Sequence, residues 1–366
     1  MHRWRPEAAL RPAELMALFA CLSTATALAG IGNLGFLLPV MVDPWWYGTV
    51  EQWGPFLDHL PWVVGPRDPE PLRAFFLGNR SFLEPALLRA WLPPLSWWSA
   101  LFLAMAATTL GLARLVMRRW VRDEHLPFPT LALPLELSRP DTPLLRNRLF
   151  WAGFLIPVFL HSLNSINSLY PSVPGWPINS FKQGLEGVGR PWSGLGSVPV
   201  MVHPGGVGTG FLVQTDVLFS LLFFWVLKRL LNLWGSSMGW RDAEVMEYGD
   251  GKEQFPFTPW QAWGAWLALG GGVLWGALRH TRGDPGARRS LWLVVSGFSA
   301  ACLLVWGIGA PWWLPPVWFA VAILLLLAIA RLQSETPVMS MMLAWVFPQN
   351  ILMGLFGSVS FGKDAL

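Results

Sequence analysis

The chain has 366 residues, 53% of them hydrophobic and only 13% charged, against about 25% charged in soluble domains, which excludes a water-soluble globular protein. Each bilayer crossing takes about 20 apolar residues, so this length holds roughly seven to ten spans. The formal charge of +4, from 26 basic and 22 acidic residues, fits anchoring of cytoplasmic loops rather than nucleic-acid binding. The 25 tryptophans favour membrane–water interfaces, and Gly and Pro scattered among apolar runs point to broken helices and structured loops. Cys21 and Cys302 are the only cysteines and both lie in apolar stretches, which leaves no disulfide framework, CxxC motif or thiolate metal cluster.

In chain order, the basic start Arg3, Arg5 and Arg11 precedes an apolar run from about Ala13 to Val42. This run is too long for a signal peptide and lacks a clear small-residue cleavage site, so it predicts a retained helix with residues 1–12 in the cytoplasm. Residues 43–95 mix six acids with four arginines and are expected to form a long structured extracytoplasmic loop. Trp45, Trp46, Trp53, Trp62 and Trp91 should rest near the interface. A second span, Trp97 to Met117, stops at Arg118, Arg119 and Arg122, and residues 118–148 form an arginine-rich cytoplasmic loop. A third runs from Leu149 to Leu169. The Gly-, Pro- and Ser-rich residues 171–207 follow, extracytoplasmic or re-entrant, with Gly194 to Val202 strand-like or re-entrant. A fourth span, Gly208 to Leu227, stops at Lys228 and Arg229. Later candidates are Trp260 to Leu278, Leu291 to Gly309, Trp312 to Ala330 and Met339 to Val359. The predicted fold is therefore all-α, a single polytopic transmembrane domain over 1–366 with about eight transmembrane helices.

Orientation is self-contradictory in the second half. Alternation from a cytoplasmic start puts Arg279, Arg282, Arg288 and Arg289 outside, where the positive-inside rule does not want them, and puts the acids Asp242, Glu244, Glu247, Asp250 and Glu253 inside. One crossing between Arg148 and Trp260 is miscounted, and residues 171–207 are the suspect, since irregular backbone is tolerated at membrane depth where protein or water covers it.

No metalloprotease, nucleophile-elbow, phosphate-loop or dinucleotide motif is present, so an enzyme is not expected. The histidines at 2, 59, 125, 161, 203 and 280 stand at no ligand spacing, so no metal site and no cofactor is expected either. Asn79-Arg80-Ser81 fits the N-glycosylation pattern, a short motif common by chance. Polar side chains inside spans carry more information, because a charge at the bilayer centre needs a partner or water. Asp216, with Gln214, Thr215 and Ser220, either contacts substrate or a proton, or caps the first turn of its helix. His161, Asn164 and Asn167 share roughly one helical face and either glue helices together or line a path. Gln349 and Asn350, after Pro348, either break the last helix at a solute site or mark a packing kink. Gly30-Ile31-Gly32 and Gly270-Gly271-Gly272 suit close helix packing.

From Arg118 to Thr130 the chain reads as a stop-transfer run followed by two prolines that bracket an aromatic, Leu126-Pro127-Phe128-Pro129, forcing an extended turn that cannot rejoin a helix. This motif resembles the Leu-Pro-Phe-Pro signature of the oligopeptide transporter superfamily, which includes the yellow-stripe metal-chelate transporters. Leu131 to Leu137 with Glu136 is a weaker version of the Ala/Glu-rich run that follows it there. Leu10-Arg11-Pro12-Ala13-Glu14-Leu15, Glu136 to Pro140, Gly210 to Phe224, Gln261 to Ala265 and Arg331-Leu332-Gln333-Ser334-Glu335 are similar, in order, to segments of uncharacterised bacterial multispan membrane proteins distantly resembling that superfamily. Those proteins are much longer, so this chain is expected to be a partial or short member.

The resemblance implies a secondary transporter for a small peptide-like or chelate-like solute in the bacterial inner membrane, working by alternating access around a midplane site. Asp216, Gln214, Asn164, Asn167, His161 and Gln349 are its substrate-path candidates. Two alternatives stay open. One is a structural subunit of a larger membrane complex. The other is a membrane enzyme using the loop acids and Asp58-His59. Expected partners are the lipid bilayer, a small-molecule or peptide solute, and further copies of the chain or partner subunits, with no nucleic acid.

Overall fold

A computed structural model describes residues 10–30, 34–47, 57, 59–78, 80–139, 142–176, 181–184, 188–195, 197–200, 204–241, 254–280 and 285–337. The elements run α1 (Pro12–Ala29), α2 (Leu34–Tyr47), α3 (Pro69–Leu77), α4 (Pro85–Arg122), α5 (Ala132–Ser138), α6 (Arg148–Leu169), β1 (Phe181–Gly184), β2 (Ser197–Val200), α7 (Pro204–Gly210), α8 (Thr215–Ser237), α9 (Thr258–His280), α10 (Pro285–Trp306) and α11 (Leu314–Glu335). The chain divides into two compact units, Met1–Glu124 with Gly276–Ala320 and His125–Trp275 with Val321–Leu366. Among the described residues, five helices are long and apolar enough to cross a bilayer: α4, α6, α8, α10 and α11. The predicted last span, Met339 to Val359, lies outside the described residues.

In the first unit, α1 starts where Pro12 occupies the first helical position, which needs no donated hydrogen bond. The Glu14 carboxylate accepts the Arg11 backbone N–H at 2.8 Å. The single helix expected over Ala13 to Val42 is two helices, α1 ending at Ala29 and α2 beginning at Leu34. The segment 43–95, expected as a loop, is partly helical too, with α2 reaching Tyr47, α3 at 69–77 and α4 starting at Pro85. Trp91 is buried within the protein. It is 3% exposed and packs with Met41, Val42 and Leu72, while Trp46 stacks on Phe76 at 4.5 Å between ring centroids. Its indole fills the small core that holds α2 and α3 on the start of α4.

Helix α4 has 38 residues, about 57 Å at 1.5 Å per residue. That is nearly twice the ~30 Å hydrocarbon core, so the predicted span 97–117 is only its central part. α4 packs on α10 through small residues. Ala104, Ala301, Cys302 and Phe319 form a buried cluster. A Cβ at Gly297 would come within 2.5 Å of both the Ala104 carbonyl oxygen and Thr108 Oγ1. Thr108 is itself fully buried and returns its hydroxyl to the Ala104 carbonyl at 2.9 Å. Small residues let helix backbones approach where lipid offers no hydrophobic advantage to association.

In the second unit, α6 is capped by Asn147, whose side chain accepts the Leu149 N–H at 2.9 Å. None of the 22 residues of α6 is buried. β1 and β2 pair antiparallel with Phe181 opposite Val200, so residues 197–200 of the Gly194 to Val202 stretch are strand. The helix at the fourth predicted span begins at Thr215, later than the expected Gly208, and continues past Lys228 and Arg229 to Ser237. Basic residues halt translocation but do not break helices, and their long aliphatic stems tolerate apolar surroundings. α9 approaches α11 at Gly270, where a Cβ would overlap the Leu324 carbonyl, whereas Gly271 and Gly272 face open space. The three glycines predicted to serve close packing thus divide into one that does and two that do not.

Candidate functional site

The chemistry-bearing residues predicted from sequence fall into separate places in the second unit. On α6, Asn164 and Asn167 act together on the segment that follows the helix. Asn164 Oδ1 accepts the Trp176 N–H at 2.7 Å, and Asn167 Nδ2 donates to the Val173 carbonyl at 2.5 Å. A Cβ at Gly175 would lie 2.9 Å from the Asn167 amide, so residues 173–176 are drawn tightly against the helix end. His161, six residues before Asn167 and about 120° around the helix from it, is exposed. Gln214 and Asp216 lie at the start of α8, and both are exposed. Gln214 precedes the first helical residue, and Asp216 occupies the first turn, where a carboxylate is favoured by the helix dipole. Ser220 returns its hydroxyl to the Asp216 carbonyl at 2.8 Å. Gln349 lies outside the described residues, as do Asp58 and Asn79.

A polar cluster that the sequence reading did not single out lies on the C-terminal half of α8. Arg229, Asn232 and Ser236 stand at i, i+3 and i+7, which places them on one face. Against that face lies the turn Trp192–Leu195, so close that a Cβ at Gly194 would fall 2.8 Å from the Asn232 carbonyl oxygen. Asn232 is 0% and Ser236 1% exposed. Arg229 Nη1 donates to the Leu195 carbonyl at 2.5 Å, and its guanidinium lies 5.3 Å from the centre of the Trp225 ring. Among the described residues, Asn232 Nδ2 and Oδ1, Ser236 Oγ and Arg229 Nε are buried without a hydrogen-bond partner. Each such group costs about 1–3 kcal/mol if it stays unmet. Three donors and one acceptor on a single face match a carboxylate or peptide group. Asp216 is about 24 Å from Asn232 along the axis at 1.5 Å per residue, so these are two places and not one.

The motif loop has its own geometry. His125 and Phe128 both adopt left-handed backbone, at φ 49° and 45°, conformations that cost non-glycine residues energy. The Phe128 N–H donates to the Ser334 carbonyl at 3.0 Å. This joins Leu126-Pro127-Phe128-Pro129 to Arg331-Leu332-Gln333-Ser334-Glu335, where Arg331 Nε donates to the Glu335 carboxylate at 2.6 Å. The chain does rejoin a helix after the prolines, contrary to expectation. A 3₁₀ turn, Pro129–Leu131, leads directly into α5, because Pro129 at a first helical position gives up no needed hydrogen bond. Within α5, Glu136 accepts from Arg139 at 3.0 Å and from Thr142 at 3.1 Å, both beyond the helix end. Among the described residues no group of three or more His, Cys, Asp or Glu could hold a metal ion.

A family model described as a family of unknown function, DUF6785, matches residues 1–366. No curated protein matches the chain, and no solved structure does.

Proposed function

We propose, for a chain that belongs to the DUF6785 family, a secondary transporter of the oligopeptide-transporter type that carries a small peptide-like or chelate-like solute. The observation that carries the reading is the buried, hydrogen-bond-hungry face Arg229–Asn232–Ser236 on an apolar helix. Polar groups of this kind inside a membrane helix are costly to leave unmet, and a solute carboxylate or peptide group would satisfy them. The union of the two motif segments at Phe128 and Ser334 supports the resemblance, since residues far apart in sequence are held as one structural piece. In this reading the protein lies in the bacterial inner membrane with a cytoplasmic N-terminus and about eight spans, Met339 to Val359 included. Asp216 and Gln214 stand at the mouth of α8, while the asparagines of α6 shape the entry loop at 173–176.

A structural subunit of a larger membrane complex is the second reading, favoured by α6, which buries none of its residues within the chain. The two separate in one experiment. Thermal melting of the purified chain is followed in detergent against short peptides and metal chelates, since a ligand of the folded state raises stability by mass action. A saturable rise supports the transporter. Asn232→Leu should abolish that rise while leaving the unliganded protein at least as stable, because it removes two unmet buried polar atoms. A cooperative melt that no solute shifts favours the subunit reading.

A further inference from the structure

We propose that the arginine-lined cavity of the first unit binds a phosphate-bearing anion. The cavity, of about 540 Å³, is bounded by Arg114, Arg118, Arg119 and Arg122 of α4, Arg289 near the start of α10, and His280 at the end of α9. Asp123 is the one carboxylate among its lining residues, against five guanidinium groups, one of which, Arg119, is paired with Glu124 from outside that lining. That carboxylate lies 3.3 Å from His280 Nε2, and Arg119 Nε pairs with Glu124 at 2.5 Å. Arg114, Arg122 and Arg289 make no ion pair among the described residues.

Arg114, Arg118, Arg122 and Arg289 are exposed and Arg119 is half-buried, around a floor that the fold builds. Arg114, Arg118 and Arg122 recur every four residues, so they line one face of α4, a spacing at which like charges destabilise a helix unless an anion lies between them. Arg119 is seated by Gly276 of α9, since a Cβ there would overlap its guanidinium. The floor is formed by buried Leu115, Ala287 and Ser290. The opening turn of α10 also faces the cavity through Gly286 and Ala287, adding backbone dipoles of the sign an anion favours. Guanidinium groups bind phosphate oxygens in a bidentate fork, which a monatomic anion such as chloride cannot fill. A phosphate of this kind comes either from a lipid headgroup at the membrane surface or from a soluble phosphate compound.

The test is thermal melting of the full chain in detergent, with inorganic phosphate in one arm and phosphatidylglycerol added to phosphatidylcholine micelles in the other. Chloride at matched ionic strength and phosphatidylcholine alone are the controls. The proposal expects a saturable rise in Tm in at least one arm. A rise with phosphatidylglycerol alone assigns a lipid headgroup, and a rise with phosphate assigns a soluble ligand. The double variant Arg122→Gln/Arg289→Gln should weaken the apparent affinity at least tenfold, whereas Arg73→Gln, an exposed arginine outside the cavity, should leave it unchanged. Arg114→Gln alone provides a milder variant should the double one melt poorly without ligand. No rise in either arm, or equal affinity in the cavity variants and the wild type, overturns the site.

Discussion

Asp216 shows how much a few residues of helix boundary decide. With a span starting at Gly208 its carboxylate would lie inside the membrane, but α8 begins at Thr215 and leaves Asp216 exposed in the first turn. Its dipole contribution there is about 0.3–1 kcal/mol, so Asp216→Asn should lower stability by no more than that and leave expression normal. If the transporter couples to protons through this group, the same variant abolishes uptake driven by a pH gradient; unchanged uptake in reconstituted vesicles removes Asp216 from the mechanism. Asn232 escaped sequence reading for the opposite reason. Lys228-Arg229 reads as the end of a span, and a residue beyond it as loop, although Asn232 with Ser236 one turn later inside a continuous apolar helix was the available signal. Ahead of α4, Arg80 donates to Glu84 at 2.9 Å and also pairs with Glu70. The Arg80 hydrogen bonds hold the Glu84 carboxyl below its ordinary value of 4.5. A lowered folded-state value stabilises the fold above 4.5, and that gain disappears as the pH falls through the lowered value. Wild type should therefore be the more stable of wild type and Arg80→Gln near neutrality, by a small margin because the pair is exposed. The margin should close in acid melts; a pH-independent difference would show that the ion pair is not its source.

At the scale of elements, helix positions were legible wherever an apolar run was long and its ends carried a physical signal. Asn147 caps α6 and Pro12 opens α1, and both helices start within a residue or two of the expected place. Length was less legible. The apolar window of α4 shows only its middle, because the N-terminal part, with Pro93 and Pro94 inside it, is helical on account of its packing on α2 and α3 rather than its hydropathy. Packing roles within a glycine run were not legible at all, since composition is the same at all three positions while only one meets a neighbour. That difference is measurable. Gly270→Ala puts a methyl into the Leu324 backbone and should cost about 1–3 kcal/mol, as overpacking does. Gly271→Ala and Gly272→Ala meet open space and should stabilise α9 by up to about 1 kcal/mol through helix propensity. Equal effects at the three sites, read from melting midpoints, would contradict the close approach of α9 to α11.

For the molecule as a whole, the unsettled quantity in the sequence was the side on which the second arginine-rich segment lies. Counting spans put Arg288 and Arg289 opposite Arg118, Arg119 and Arg122, against the positive-inside rule, and nothing in a linear sequence arbitrates between a parity count and a charge bias. Spatial proximity does. The end of α4, His280 and Arg289 line a single cavity within the first unit; if the apolar helices cross a bilayer, the two arginine-rich segments then share a side and an even number of crossings separates Arg122 from His280. The apolar helices α6 and α8 supply two. α9 is not among the five helices apolar enough to cross; if it crosses, a further crossing must lie between Leu169 and Thr258, where the sequence placed its suspect segment. Cysteines introduced singly at Val121 and Arg288, in a Cys21→Ser/Cys302→Ala background, should be labelled by a membrane-impermeant maleimide from the same side. The positive-inside rule makes that side the cytoplasm, so labelling is expected in inverted vesicles and not in intact cells. Labelling from opposite sides would dismantle the shared cavity, and with it the anion site.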